Sequence, residues 1–113
     1  MRKKRCDRNH IIYQITNQVT GEFYIGITQC IGRAILFSIK KRFAQHVSRA
    51  TTQNFEWSLC NSIRQYGADN FKIKVIEIVR GKSIAHSKEV ELIHELHPQL
   101  NVSSNKQLQY ENN

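Results

Sequence analysis

Tyr13 and Tyr24 stand near the two ends of IIYQITNQVTGEFYIG, residues 11–26, a stretch that reads as one β-hairpin and so sets two phenols across a turn from each other. Further along, Arg42, His46 and Arg49 recur at i, i+4 and i+7, beside a helical stripe of Ile39, Phe43 and Val47. A guanidinium and an imidazole therefore stand at the edge of a core. Near the end of the chain, a wheel at about 100° per residue puts Glu89 on one face with Ala85, Leu92, Ile93 and Leu96, and puts Glu91 and Glu95 on the other side. A carboxylate on an inward stripe is destabilising unless something pairs with it. It is half of a structural salt bridge, a metal ligand or a catalytic carboxylate. Taken singly, these features have ordinary explanations: cross-strand packing for the tyrosines, a surface pair for Arg42 and His46. Together they suit phosphodiester hydrolysis, which needs a base for water, a metal to hold the phosphate and leaving oxygen, and a cation for the developing charge.

The charge balance points to the same substrate class. Across 113 residues, 17 Lys and Arg oppose 9 Asp and Glu, a net +8, which in so small a body favours a polyanionic partner. No acid lies between Glu22 and Glu56, a span that holds Arg33, Lys40, Lys41, Arg42 and Arg49. A second basic cluster, Arg2, Lys3, Lys4, Arg5 and Arg8, opens the chain and is equally well read as a solvated tail. No apolar run approaches the roughly 20 residues that cross a bilayer. The basic start also lacks the apolar stretch of a signal peptide, so the expected setting is the cytoplasm, with no membrane contact. Cys6, Cys30 and Cys60 fit neither a disulfide framework nor paired zinc spacing, and read as reduced thiols.

The elements that must position these groups are few, because a chain of this length with 40% hydrophobic residues supports one domain with one modest core. HIIYQIT and EFYIGIT flank NQVTG, whose Asn17 and Gly21 suit a turn. The stripe at Ile39, Phe43 and Val47 predicts a helix from about Ser38 to Ala50, with CIGRAILF before it as a helical extension or a short turn. FEWSLCNSIRQY reads as a second helix closed by Gly67, and FKIKVIEIV alternates Phe71, Ile73 and Val75 against Lys72 and Lys74 as a half-buried third strand. Ser83 can cap a last helix running to about Leu96, with Pro98 beyond its end. Lys82 and His86, at the start of that helix, either face a phosphate or sit in a solvated turn. The expected fold class is α/β (α+β): a small three-stranded antiparallel sheet flanked by helices. A basic extension over 1–9 precedes the globular part at 10–102, and a polar tail follows over 103–113.

IIY and YIG, separated by ten residues, resemble the two halves of the GIY-YIG nuclease signature. The likeness continues in order: Arg42 and His46 match the family's Arg-x-x-x-His helix, Glu89 its metal-binding glutamate, and Asn101 in HPQLN the asparagine that closes the motif set. IRQYGADNF looks like a segment common in phage members. The resemblance covers residues 10–102, nearly the whole globular part. Two departures stand out: Ile11 occupies the place where the first motif usually has glycine, and Arg42 comes sixteen positions after Gly26. The longer connection, ITQCIGRAILFSIKK near 27–41, looks like an insertion that contacts DNA or a second subunit.

The resemblance implies a free-standing, phage-type endonuclease that hydrolyses double-stranded DNA with Mg²⁺ or Mn²⁺, of homing or DNA-degrading character, in a host cytoplasm. As a monomer it would nick; a double-strand break needs two visits or a homodimer. In the implied mechanism Tyr13 takes a proton from the attacking water and Tyr24 orients water or phosphate. Arg42 stabilises charge on the phosphorus oxygens, and His46 shares the base's work or holds Tyr13. Glu89 holds the metal, which also stabilises the departing 3′ oxygen. Gly26 and Asn101 support the site, and Asn101 can equally do no more than fix the turn after Pro98. Arg33, Lys40, Lys41, Arg49 and Lys82 are the cations expected to meet DNA. Two rivals remain: a module that keeps the fold and binds nucleic acid without cutting it, which Ile11 favours, and a structural or inhibitory protein that binds acidic proteins.

Overall fold

The structure, a computed structural model, describes residues 8–53 and 57–101. β-Branched and aromatic residues build two strands, β1 (Asn9–Asn17) and β2 (Phe23–Gln29), paired antiparallel as a hairpin. Its turn needs Gly21, whose φ of 82° lies in the left-handed region. Asn17 does more than turn the chain. Its Oδ1 accepts from the backbone N–H groups of Val19 and Thr20, at 2.8 and 3.3 Å, while its Nδ2 donates to Ser62 Oγ at 3.0 Å. A buried polar side chain thus ties the hairpin to the second helix with its hydrogen bonds satisfied.

Helices α1 (Ile35–Thr51) and α2 (Ser58–Tyr66) follow, then β3 (Phe71–Arg80) and α3 (Lys82–Leu96). Short 3₁₀ turns at Ala68–Asn70 and Gln99–Asn101 complete the described chain. The sheet order is β2-β1-β3, antiparallel throughout, so β1 is central. Its alternate residues Ile11, Tyr13 and Ile15 join Ile39 and Ala50 of α1, Leu59, Cys60 and Ile63 of α2, and Leu100 in one core cluster. No residue of α3 belongs to that cluster, although α3 contacts all three strands. Strand alternation puts the fully buried Ile12 and Ile25 on the face opposite Tyr13, so the sheet is covered on both sides.

Several sequence expectations need correction. Of the two readings of CIGRAILF, its end extends the first helix, which begins at Ile35. The stretch near 27–41 divides into the end of β2, a turn through Gly32 at a φ of 57° closed by a bridge between Ile31 and Ala34, and the opening turns of α1. Ser83 does not cap α3: the helix begins at Lys82, with Gly81 preceding it and no side-chain cap. Leu96 is 44% exposed rather than inward, because α3 also carries Ile84 and Val90 outward and its apolar residues form no single stripe. Gly67 closes α2 as expected. α3 ends on His97 in the left-handed conformation, with Pro98 after it. Cys30 and Cys60 are buried free thiols; Cys6 lies outside the described residues, as do Arg2, Lys3, Lys4, Arg5 and the tail over 103–113. Among the described residues, no helix is long and apolar enough to cross a membrane.

Candidate active site

Register sets the first phenol. Tyr13 lies opposite Gly26 in the β1–β2 pairing, and Tyr24 lies opposite Ile15, so both rings share the face covered by α1. A Cβ on Gly26 would come within 2.5 Å of the Tyr13 hydroxyl oxygen, 2.6 Å of its Cζ and 2.7 Å of Tyr24 Cε2. The Tyr13 ring therefore lies across the bare Cα of Gly26, and only glycine lets it do so. On the other side of β1, the pairing with β3 shifts by one residue between Ile12 and Tyr13 and leaves Ile76 unopposed. A bulge at that point turns the strand and re-aims the side chain beside it. Ile11 is fully buried and regularly paired with Thr28 and Ile78.

Gly26→Ala is expected to lower stability by roughly 1–3 kcal/mol, the usual range for overpacking a filled core site, and to push the Tyr13 hydroxyl off its partners. Urea midpoints and near-ultraviolet tyrosine signals check this. An unchanged midpoint would show that the ring has somewhere else to go.

From α1, Arg42 Nε donates to the Tyr13 oxygen at 3.3 Å, and its Nη1 donates to Gln45 Oε1 at 3.0 Å. His46 Nε2 stands 2.9 Å from the same oxygen. The Tyr24 hydroxyl is also hydrogen-bonded to Tyr13, and the Tyr24 and His46 rings meet edge to face at 5.2 Å. His46 is not at the edge of the core, where helical spacing alone put it, but inside it at 1% exposure. Burial, reinforced by the positive charges of Arg42 and Arg49, pushes its pKa down to about 3, so the imidazole is neutral. Burial raises the Tyr13 phenol above the usual tyrosine range even though Arg42 pulls the other way, and Tyr24 is raised by burial and by its neighbour Tyr13.

These charge states place the protons. The Tyr13 oxygen already receives Arg42 and Tyr24, so its own O–H goes to the one acceptor in reach, His46 Nε2. Nδ1 then carries the ring proton, buried and without a partner.

Glu89 approaches from α3, with its side chain 13% exposed and its Oε1 3.4 Å from His86 Nδ1. Burial raises its pKa, opposed by His86 and Arg42, and its charge is felt in turn at both tyrosines. Glu91 and Glu95 are exposed, as their side of the helix implies, and Glu91 lies 3.8 Å from Lys88. Asn101 is structural. Its Oδ1 accepts from the Ile25 N–H and its Nδ2 donates to the Ile25 carbonyl, both at 2.7 Å, so one side chain completes the free edge of β2. Gln99 Oε1 accepts from the Phe23 N–H on the same edge, at 3.3 Å.

The expected DNA cations are scattered more widely. Lys40 and Lys41 are exposed on the outer face of α1, Arg33 is exposed in the turn before it and Lys82 at the first position of α3, while Arg49 lies 5.7 Å over the Trp57 ring. Sequence reasoning missed Gln45 as the second anchor of Arg42 and left His86 undecided as the neighbour of Glu89. The available signal was i, i+3 spacing on a helix, which most surface pairs share.

Fold and site together define a small α+β nuclease domain. The family model described as GIY-YIG catalytic domain matches residues 9–101, and the chain belongs to that family. Membership makes DNA its substrate class. No curated protein and no solved structure matches the chain significantly.

Proposed function

We propose that the chain is an endonuclease that hydrolyses phosphodiester bonds in double-stranded DNA with Mg²⁺ or Mn²⁺. The observation that carries this reading is the Tyr13 oxygen, where Arg42, Tyr24 and His46 converge with the half-buried Glu89 nearby.

Tyr13 is fully buried in the free protein, and Arg42 bridges it to Gln45. A phosphate that draws the guanidinium to itself would take one of the three hydrogen-bond partners from the tyrosine oxygen. Burial holds the Tyr13 pKa above the usual tyrosine range, so the phenol keeps its proton in the free protein at neutral pH. In the reaction Tyr13 takes a proton from the attacking water while passing its own to His46 Nε2, and Tyr24 stays protonated as a donor. His46 is a weak acceptor in the free protein because Arg42 and Arg49 oppose its protonation. A bound phosphate offsets those charges and raises the imidazole's basicity. Arg42 carries the charge that develops on the phosphorus oxygens.

Glu89 is the residue to hold the cation. Its carboxylate, 13% exposed, is a hard oxygen donor of the kind that would hold such a cation together with waters and substrate phosphate. When bound, such a cation neutralises charge on the phosphate and the departing 3′ oxygen. The homing or DNA-degrading, phage-type character belongs to this proposal through the family resemblance alone.

Supercoiled plasmid incubated with and without Mg²⁺ tests the reading: nicked circles should form only with the cation. Retention of the plasmid without nicking would identify a binding module instead. Within the same assay, His46→Gln should nick about a hundredfold more slowly near pH 7. Its rate should climb with pH, since hydroxide must then do what the imidazole did. Parallel pH profiles for parent and variant would remove His46 from the relay.

A further inference from the structure

A second metal donor stands beside Glu89 on α3. His86 precedes it by one helical turn, and its Nδ1 lies 3.4 Å from Glu89 Oε1. That separation exceeds the roughly 2.7–3.2 Å of an N–H···O hydrogen bond. It matches two donors that share one ion: atoms about 2.1 Å from a cation stand about 3.0 Å apart at a right angle and about 3.4 Å apart at the tetrahedral angle. The two side chains differ in burial. Glu89 is 13% exposed and its charge acts on both Tyr13 and Tyr24, whereas His86 is 69% exposed, so the pair has one donor in the wall of the site and one open to the solvent from which a cation arrives. Carboxylate and imidazole at i and i+3 on one helix, in the reverse order, also ligate the metals of di-iron and di-manganese helical bundles. His94 and His97 face each other too, with ring centroids 6.1 Å apart, but both are exposed and lie more than a turn beyond Glu89.

We propose that His86 is a second ligand of the cation held at Glu89, and that its nitrogen makes the site prefer first-row transition cations such as Mn²⁺ to Mg²⁺. The inference rests on the reading that Glu89 holds the catalytic cation and deepens it with a metal preference. Carboxylate, water and phosphate oxygens alone form a hard site that suits Mg²⁺. Exchanging one water for an imidazole nitrogen favours cations that bind nitrogen, in the rising order Mn²⁺, Co²⁺, Ni²⁺. Two protein ligands leave the other positions of an octahedral ion to water and to the phosphate.

The test reads binding on the full chain without DNA, so it does not depend on cutting. Mn²⁺ added in substoichiometric amounts should broaden the imidazole ring signals of His86 in proton NMR and leave those of His94 and His97 sharp. Free Mn²⁺ followed by electron paramagnetic resonance, with Mg²⁺ as competitor, should show Mn²⁺ bound about tenfold more tightly than Mg²⁺. His86→Ala should keep the parent's circular dichroism and urea midpoint, since the side chain is exposed. It should lose about tenfold in Mn²⁺ affinity and only about twofold in Mg²⁺ affinity. His86→Asn, which puts an amide oxygen where Nδ1 stood, should recover Mg²⁺ binding without the Mn²⁺ preference, a split that a merely structural role would not give. An equal fall for both cations in His86→Ala would make His86 a support that orients the carboxylate, and overturns the second ligand. So do unchanged affinities in that variant, broadening at His94 and His97 with His86 left sharp, or a free chain that binds neither cation. A parent that binds Mn²⁺ through His86 yet nicks no plasmid with either cation overturns the nuclease reading alone, and the two-donor site stands.

Discussion

Glu89→Gln is expected to fold, to bind DNA and to lose nicking by about a hundredfold or more, the scale of removing the charge that anchors a catalytic cation. The substitution keeps shape and hydrogen-bonding capacity and deletes only the charge. Its effect on stability has the opposite sign. Because burial raises the folded-state pKa of Glu89, the native state holds this proton to higher pH than the unfolded chain does. Stability then falls as pH rises from the unfolded value, about 4.3, through the folded one, and that loss persists at neutral pH. Glu89→Gln lacks this limb and should be no less stable than the parent at pH 7. A protein that gains stability while losing its reaction has lost a group kept for function. Glu91→Gln and Glu95→Gln, both exposed, should nick like the parent. Mg²⁺-dependent nicking retained in Glu89→Gln but lost in either control would move the metal site to the other side of α3.

What the sequence showed and what it hid divide along contact range. The hairpin, the third strand and the helical faces rest on periods of two and 3.6 residues, which are local, and the tyrosines, Arg42 and His46 came with them. The depth of His46 did not. Its spacing fits the edge of a stripe, and only the approach of β1 and β2 turns that edge into an interior. Gly26 looked like a motif letter, but its necessity is the Tyr13 ring lying across it from the neighbouring strand. The bulge at Ile76 falls where the alternation of FKIKVIEIV changes phase, from Phe71, Ile73 and Val75 to Ile76 and Ile78, but only the pairing with β1 shows that the break is a bulge. Asn101 reads in the sequence as a support of the site or as no more than a fixer of the turn after Pro98, and nothing local shows that it reaches β2, 76 residues earlier, and finishes its edge. Ser83 failed as a cap for the opposite reason: the local rule was sound, but Gly81 and Lys82 begin the helix before the serine is reached.

Arg42 is the residue through which the parts of the site communicate, and replacing it should disturb them in separate, measurable ways. Arg42→Ala is expected to slow cleavage by roughly 10²–10³-fold, as for removal of one charge-stabilising donor, while affinity for uncut DNA changes only a few-fold. The cause is timing: charge on the phosphorus oxygens peaks in the transition state, so the loss should fall on kcat more than on KM. Arg42→Lys restores the charge but cannot bridge Tyr13 and Gln45 while also reaching a phosphate, and it should recover only part of the rate. The free protein supplies an independent readout. Arg42 depresses the His46 pKa and lowers that of Tyr13. In Arg42→Ala the imidazole should therefore titrate at a higher pH than in the parent, and the Tyr13 phenol higher still than its already raised value, both visible by NMR. Near-parent cutting would assign Arg42 to a solvated face. A cleavage defect with an unshifted His46 would mean that the guanidinium meets DNA away from Tyr13, and the relay through Tyr13 and His46 would lose the cation that connects it to the phosphate.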